Sequence, residues 1–249
     1  GDPPRQRTPT PGKLYALLID VAGEEESAIA GEYDPAAKRD ATALTVVEVT
    51  PTRDRPAYKV VDRRAWTGKK HSELLPQLTD LARNVWKARA VIIDATGVGA
   101  GLASFLTAAL GPSAKGSPPA TVEPFAFTSQ SKSLLGWELL GLIDGGRLKE
   151  YADDGDGLTR QFWAEASACR YEVLPGPGRL LRWAVPAAAG HDDLLMSLAL
   201  VSRLDLTTDT GRAIMDAIVT QQASIIAYAN DFRLLMWVAI VAMPFVFLV

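Results

Sequence analysis

Ala90-Val91-Ile92-Ile93-Asp94-Ala95-Thr96-Gly97-Val98-Gly99-Ala100-Gly101 is an apolar run that ends in an acid and passes into glycines. The run suits a strand buried on both faces, the glycines suit a tight turn, and residues 102–110 resume as a helix. A strand, turn and helix in this order belong to an α/β sheet. The same pattern of apolar run and terminal acid recurs in Leu17-Leu18-Ile19-Asp20, part of a first strand over residues 14–21 between Gly12 and Gly23.

Working outward, residues 41–50 and 57–65 are rich in Val and Thr and flank a proline-bounded turn, which predicts a strand pair. Residues 72–88 place apolar side chains at helical spacing behind a capping Ser72, with Pro76 in the first turn. A strand over 121–127 follows the 111–119 linker, and a helix over 131–144 closes at Gly145 and Gly146. Residues 158–169 predict a helix, 171–174 and 180–185 a hairpin, and 192–204 a last helix. The expected fold class is α/β, a mixed sheet flanked by helices, with Trp66, Trp137 and Trp163 in the core.

The 249 residues carry a formal charge of −3, with 48% hydrophobic and 22% charged side chains. This excludes a surface that is basic throughout but leaves room for a local basic groove. A single cysteine, Cys169, excludes an internal disulfide framework and a Cys-rich zinc site and fits a reducing cytoplasm. Residues 1–12 lack the apolar segment of a signal peptide and read as a linker, leaving 13–205 as the domain. Residues 206–249 form an extension whose last 16 residues, 234–249, hold no charge. This apolar helix is slightly short for a bilayer, and membrane contact is the preferred expectation for it.

Asp20 and Asp94 end their strands, and Asp192 and Asp193 open the last helix, positions at which an open sheet delivers side chains to one crevice. Taken singly, each acid reads as a turn or cap residue. Taken together, carboxylates without a His or Cys cluster suit hard cations such as Mg²⁺ or Mn²⁺. Two such ions activate water and stabilise charge on a phosphodiester without a nucleophilic side chain. His191 is placed to orient the acids. Gly97 and Gly99 are expected to clear space beside the metal site, since their spacing does not fit a dinucleotide fingerprint and no P-loop pattern occurs. Lys132, at a helix start, and Arg63, Arg64, Lys69 and Lys70, around the strand pair with Arg53 and Arg55, are candidate contacts to DNA phosphates.

These motifs together resemble a known family. Leu17-Leu18-Ile19-Asp20-Val21-Ala22, Val91-Ile92-Ile93-Asp94-Ala95-Thr96-Gly97-Val98-Gly99, residues 125–133 followed by Gly146-Arg147-Leu148, and Gly190-His191-Asp192-Asp193-Leu194-Leu195-Met196-Ser197 are similar, in order, to the C-terminal nuclease domain of the large terminase subunit of tailed bacteriophages. The resemblance implies an RNase H-like fold in which Asp20, Asp94 and one of Asp192 and Asp193 bind two Mg²⁺ or Mn²⁺ ions. Asp193 is the favoured ligand and Asp192 the supporting one. It also implies cutting of concatemeric double-stranded DNA during genome packaging, with the terminase ATPase domain, the small terminase subunit and the portal protein as partners. No ATPase motif accompanies these residues, so cleavage rather than translocation is expected. The tail, Gln221-Gln222-Ala223-Ser224-Ile225-Ile226-Ala227-Tyr228 onward, resembles the last helix of major facilitator drug antiporters. The alternatives are a structure-selective nuclease of resolvase or transposase type, which shares the fold, and a non-catalytic module anchored by its tail.

Overall fold

Strands with apolar side chains on both faces must be covered on both sides, and this requirement sets the centre of the molecule. The structure, a computed structural model, describes residues 2–22, 41–52, 55–111 and 120–205, and single helical positions between 212 and 236. Its strands are β1 (Leu14–Asp20), β2 (Ala41–Thr50), β3 (Ala57–Thr67), β4 (Ala90–Asp94), β5 (Thr121–Phe125) and β6 (Leu148–Lys149). They form one sheet in the order β5-β4-β1-β2-β3-β6. β4 is parallel to β1 and to β5, whereas β2 is antiparallel to β1 and β3. The arrangement is a mixed α/β sheet flanked by helices, as expected.

Alternation along the strands divides the core. Tyr15, Leu17 and Ile19 of β1 and Val91 and Ile93 of β4 pack with Leu74 and Leu78 of α1 (His71–Asp80) and Leu102 and Leu106 of α2 (Gly99–Leu110). Each such buried aliphatic side chain contributes roughly 1.5–3 kcal/mol, so this cluster fixes the two helices on one face. The intervening residues, Leu18 and Asp20 on β1 and Ile92 and Asp94 on β4, face the other layer. There α5 (Asp193–Ala199) packs on β1 and β2. The Ser197 hydroxyl donates to Leu18 O at 3.0 Å and lies 2.8 Å from Thr45 Oγ1, pinning α5 to both strands. Beside it lie α3 (Ser129–Asp144), α4 (Gly157–Ala168), and a separate two-stranded sheet of β7 (Arg170–Val173) and β8 (Leu181–Ala184).

Several boundaries differ from the sequence expectations for local reasons. Ser72 does not cap α1, which begins at His71 after an extended Lys70 with no side-chain cap and continues into a π-helical turn at Leu81–Val85. The glycines before residue 102 are helical from Gly99 onward rather than a turn throughout. Helix α3 starts at Ser129 because Thr128 and Ser131 form a reciprocal capping box. Strand β6 pairs only Tyr58 and Lys59 of β3 with Leu148 and Lys149, too short to leave a sequence signal. Trp137 and Trp163 are 41% and 47% exposed, so they are not core residues, whereas Trp86 and Trp183 are buried. Trp137 lies on the outer side of α3 and donates to Arg179 O, and Trp163 stacks edge-on to Phe162.

The chain divides into two compact units, Gly1–Asp205 and Leu206–Val249. Within the first, the stretch read as a linker is tied down. Arg5 pairs with Asp62, Asp154 and Asp156, its guanidinium donates to Arg63 O, and the Gln6 amide donates to Val61 O. In the second unit, Tyr228 and Phe232 are exposed helical residues with ring centroids 6.5 Å apart. Among the described residues no helix is long and apolar enough to cross a membrane. Most of 234–249, on which the expectation of membrane contact falls, lies outside the described residues.

Candidate active site

Parallel pairing carries the two strand-end acids to one place. Ile19 is in register with Ile93, so Asp20 and Asp94 follow one another's level on adjacent strands, which lie about 4.8 Å apart. Equal parity turns both side chains toward α5. The first residue of that helix, Asp193, is 8% exposed, and its Oδ2 accepts the Ala41 amide at 2.9 Å, two residues before Ala43, the β2 partner of Asp20. A cavity of about 290 Å³ is lined by Asp20, Asp94, Asp192 and Asp193 together with Thr96, Phe127, Lys132 and His191.

Each acid is held differently. Asp94 Oδ1 accepts the Thr96 amide at 2.8 Å, while Thr96 Oγ1 accepts the Phe127 amide at 2.8 Å, so the carboxylate is locked to the loop after β5. Asp192 caps no amide of α5 with its side chain and instead faces Lys132, Nζ to Oδ2 3.5 Å. Lys132 itself lies over the Trp183 ring at 5.1 Å, and its carbonyl accepts the Trp183 indole N–H at 2.8 Å.

Electrostatics makes the crowding explicit. Burial pushes the Asp20 carboxyl well above the usual aspartate range, the charges of Asp94, Asp193 and Asp192 push it further, and Lys132 only partly offsets them. Asp94 is also raised by burial, against the hydrogen bonds from Thr96 that lower it. Among the described residues no three His, Cys, Asp or Glu side chains stand preassembled in ligating geometry. The acids therefore share one cavity and one field without being drawn to a common point. The donors are oxygens, the set hard cations prefer, and a cation among them offsets the repulsion felt by Asp20.

The remaining sequence candidates separate. Lys132 and His191 line the cavity. Lys69 and Lys70 are exposed just beyond Thr67, which pairs with Ala41, so they stand on the same rim of the sheet; Lys69 also meets Glu73 at 3.9 Å. Next to them, the His71 ring nitrogen lies 3.4 Å from Ala22 O, two residues after Asp20. Arg63 is a correction: it is 1% exposed, stacked on Phe162 at 3.7 Å and paired with Glu150, so it supports α4 from within and does not reach a phosphate. Arg64 is partly exposed beside Asp62, away from the acids. Arg55 is exposed, and Arg53 lies outside the described residues. Gly97 adopts φ +54°, which favours glycine. Gly99 is buried, and a Cβ there would stand 2.8 Å from Asp94 O, so it lets α2 approach β4 and does not open space for a phosphate.

A larger cavity of about 560 Å³ lies elsewhere, between the N-terminal stretch, β3 and α1, lined by Arg5, Arg7, Arg64, Trp66 and Gln77. Of its guanidiniums, Arg5 is already paired with three acids and the buried Arg63 with Glu150. The smaller acidic cavity is the chemical candidate. Sequence inspection passed over Glu165, which is 5% exposed and touches the start of α5. Its signal is an acid on the buried stripe of α4, in series with Thr159 and Phe162.

Residues 31–171 match the terminase RNaseH-like domain family. That match includes Asp94 and Lys132 and ends before Asp192. The fold is similar to the large terminase nuclease of thermophilic phage G20c, with TM-score 0.54 and 19% identity over 80% of this chain and 90% of that one. It is similar to the same nuclease with bound cobalt at TM-score 0.55 and 20% identity, over the same shares of the two chains. The large terminase nuclease domain of Thermus phage P74-26 gives TM-score 0.53 and 18% identity over 81% of this chain and 89% of that one. The fold is therefore RNase H-like. No curated protein matches by sequence.

Proposed function

Since the chain belongs to the terminase RNaseH-like domain family, we propose that it is a divalent-metal-dependent endonuclease that cuts double-stranded DNA. Asp20, Asp94 and Asp193 hold two Mg²⁺ or Mn²⁺ ions, and Asp192 and His191 support them. The observation that carries this reading is the convergence of four aspartates from three separate stretches of chain on one cavity. Bound there, the ions supply an activated water and stabilise the charge that develops on the phosphodiester. A similar phage nuclease is known with cobalt bound, which supports a site of this kind here.

The chain's own groups divide the remaining work. Asp94, held by Thr96, and Asp193, held by the Ala41 amide, present oxygens in fixed directions. Lys132 neutralises Asp192 and is placed to meet a phosphate oxygen as DNA enters, with its ammonium held over the Trp183 ring. Lys69 and Lys70 extend positive charge along the rim and contact the backbone without reading sequence. In this reading the substrate is concatemeric viral DNA, cut in the host cytoplasm during packaging. The terminase ATPase domain, small subunit and portal protein are the partners.

Plasmid cleavage by the full chain tests the proposal. Nicking and linearisation are expected with Mn²⁺ or Mg²⁺ and not with chelator, and Asp94→Asn is expected to lower the rate at least a thousandfold. Undiminished metal-dependent cutting by Asp94→Asn would remove this residue from the site.

A further inference from the structure

Helix α5 has seven residues, and its first carries the buried aspartate of the site. A helix start leaves backbone N–H groups without intrahelical acceptors, and the residue before the first turn ordinarily supplies one. Asp192 does not, because its carboxylate faces Lys132. The amide of Leu195 instead donates to Glu165 Oε2 at 3.0 Å, across from α4. The other oxygen, Oε1, accepts the Gln161 side-chain amide at 2.9 Å, one turn earlier on α4. A carboxylate 5% exposed is costly unless its oxygens are satisfied, and here both are.

We propose that Glu165 is a positioning residue for the metal site: it caps α5 from a neighbouring helix, so that Asp192 is released to face the cavity and Asp193 is held at a fixed height above β1. The cap is supplied by α4 because an ordinary side-chain cap would consume Asp192. Since Ser197 pins the same helix farther along to Leu18 and Thr45, Glu165 fixes the end that carries the ligand. This inference rests on the metal-site reading above.

The test compares reach with charge, using Mn²⁺ binding to the full chain by calorimetry in the absence of DNA. Glu165→Gln keeps the length and an acceptor oxygen for the Leu195 amide, whereas Glu165→Asp keeps the charge but falls short by one methylene. Positioning predicts Mn²⁺ affinity near wild type for Glu165→Gln and a loss of about tenfold for Glu165→Asp, the size expected when a group behind a ligand is displaced. Thr159→Ala, a buried change on α4 away from α5, should lower thermal stability without altering Mn²⁺ affinity. Equal affinities for Glu165→Asp and wild type, or a loss in Glu165→Gln as large as in Glu165→Asp, would overturn the proposal. If wild type itself shows no Mn²⁺ binding that Asp20→Asn abolishes, the site reading fails, and that result is seen without any Glu165 variant.

Discussion

Asp20 keeps partial access to the cavity while protein surrounds most of it, with three other acids nearby. A carboxyl whose folded pKa stands above its unfolded value binds its proton more tightly when folded. Its contribution to stability is therefore full at low pH and is lost as pH rises from the ordinary aspartate range through the raised value. Asp20→Asn removes that cost, so in chelator at neutral pH the variant should melt above wild type, by about 2–4 °C for each kcal/mol of repulsion relieved. The difference should vanish at acid pH and shrink when Mn²⁺ is added to wild type. A variant that melts at the wild-type temperature across the whole pH range would remove the electrostatic strain from the account. At this scale the acids were legible only as a set, because a single strand-end carboxylate reads as a turn or cap residue and it is their recurrence without His or Cys that points to a hard cation. Arg63 was not legible, since its burial depends on Phe162, about a hundred residues later, and a basic residue on a strand looks the same from either face. Glu165 was hidden for the opposite reason: one acid in an amphipathic helix passes for part of the wet face until the stripe is counted.

Helix α3 and the β7–β8 pair show how an element positions the site. Gly136 lies against Trp183, and a Cβ there would stand 2.4 Å from the indole nitrogen and 2.9 Å from Leu181 Cδ2. The contact matters because that indole donates to Lys132 O and its ring lies beneath the Lys132 ammonium. Gly136→Ala should cost about 1–3 kcal/mol through overpacking, lowering the melting temperature and changing the near-ultraviolet signal of Trp183. Wild-type stability with an unchanged tryptophan signal would show that the helix can shift without consequence. The elements were readable where an apolar run is unbroken, as in β1 and β4, or where apolar side chains keep helical spacing, as in α1. The start of α2 was not, because Gly99 serves a close approach to Asp94 O that only the packed pair reveals. Nor was β6, whose two residues are a strand only because β3 lies beside them.

At the scale of the molecule, the sheet order brings together residues that are far apart in sequence. Parallel pairing of β1 and β4 places Asp20 beside Asp94, antiparallel β2 returns Ala41 to hold Asp193, and α5 crosses the face both acids share. The opposite end is closed by ion pairs: Arg147 grips Asp205 through both carboxylate oxygens, at 2.7 and 2.9 Å, and donates to Pro56 O. The succession of strand and helix patterns announces a mixed sheet but not this order, because strand neighbours are chosen by tertiary packing and not by local propensity. The N-terminal stretch makes the same point, since a Pro- and Arg-rich sequence is bound to the sheet through Arg5 and the buried Asp62. The central claim is that the shared cavity holds divalent ions, and crystals soaked in Mn²⁺ and measured by anomalous diffraction test it most directly. The account predicts two peaks about 3.5–4 Å apart, beside the carboxylates of Asp20, Asp94 and Asp193 and lost in Asp20→Asn. Manganese bound elsewhere, or unchanged peaks in Asp20→Asn, would contradict it.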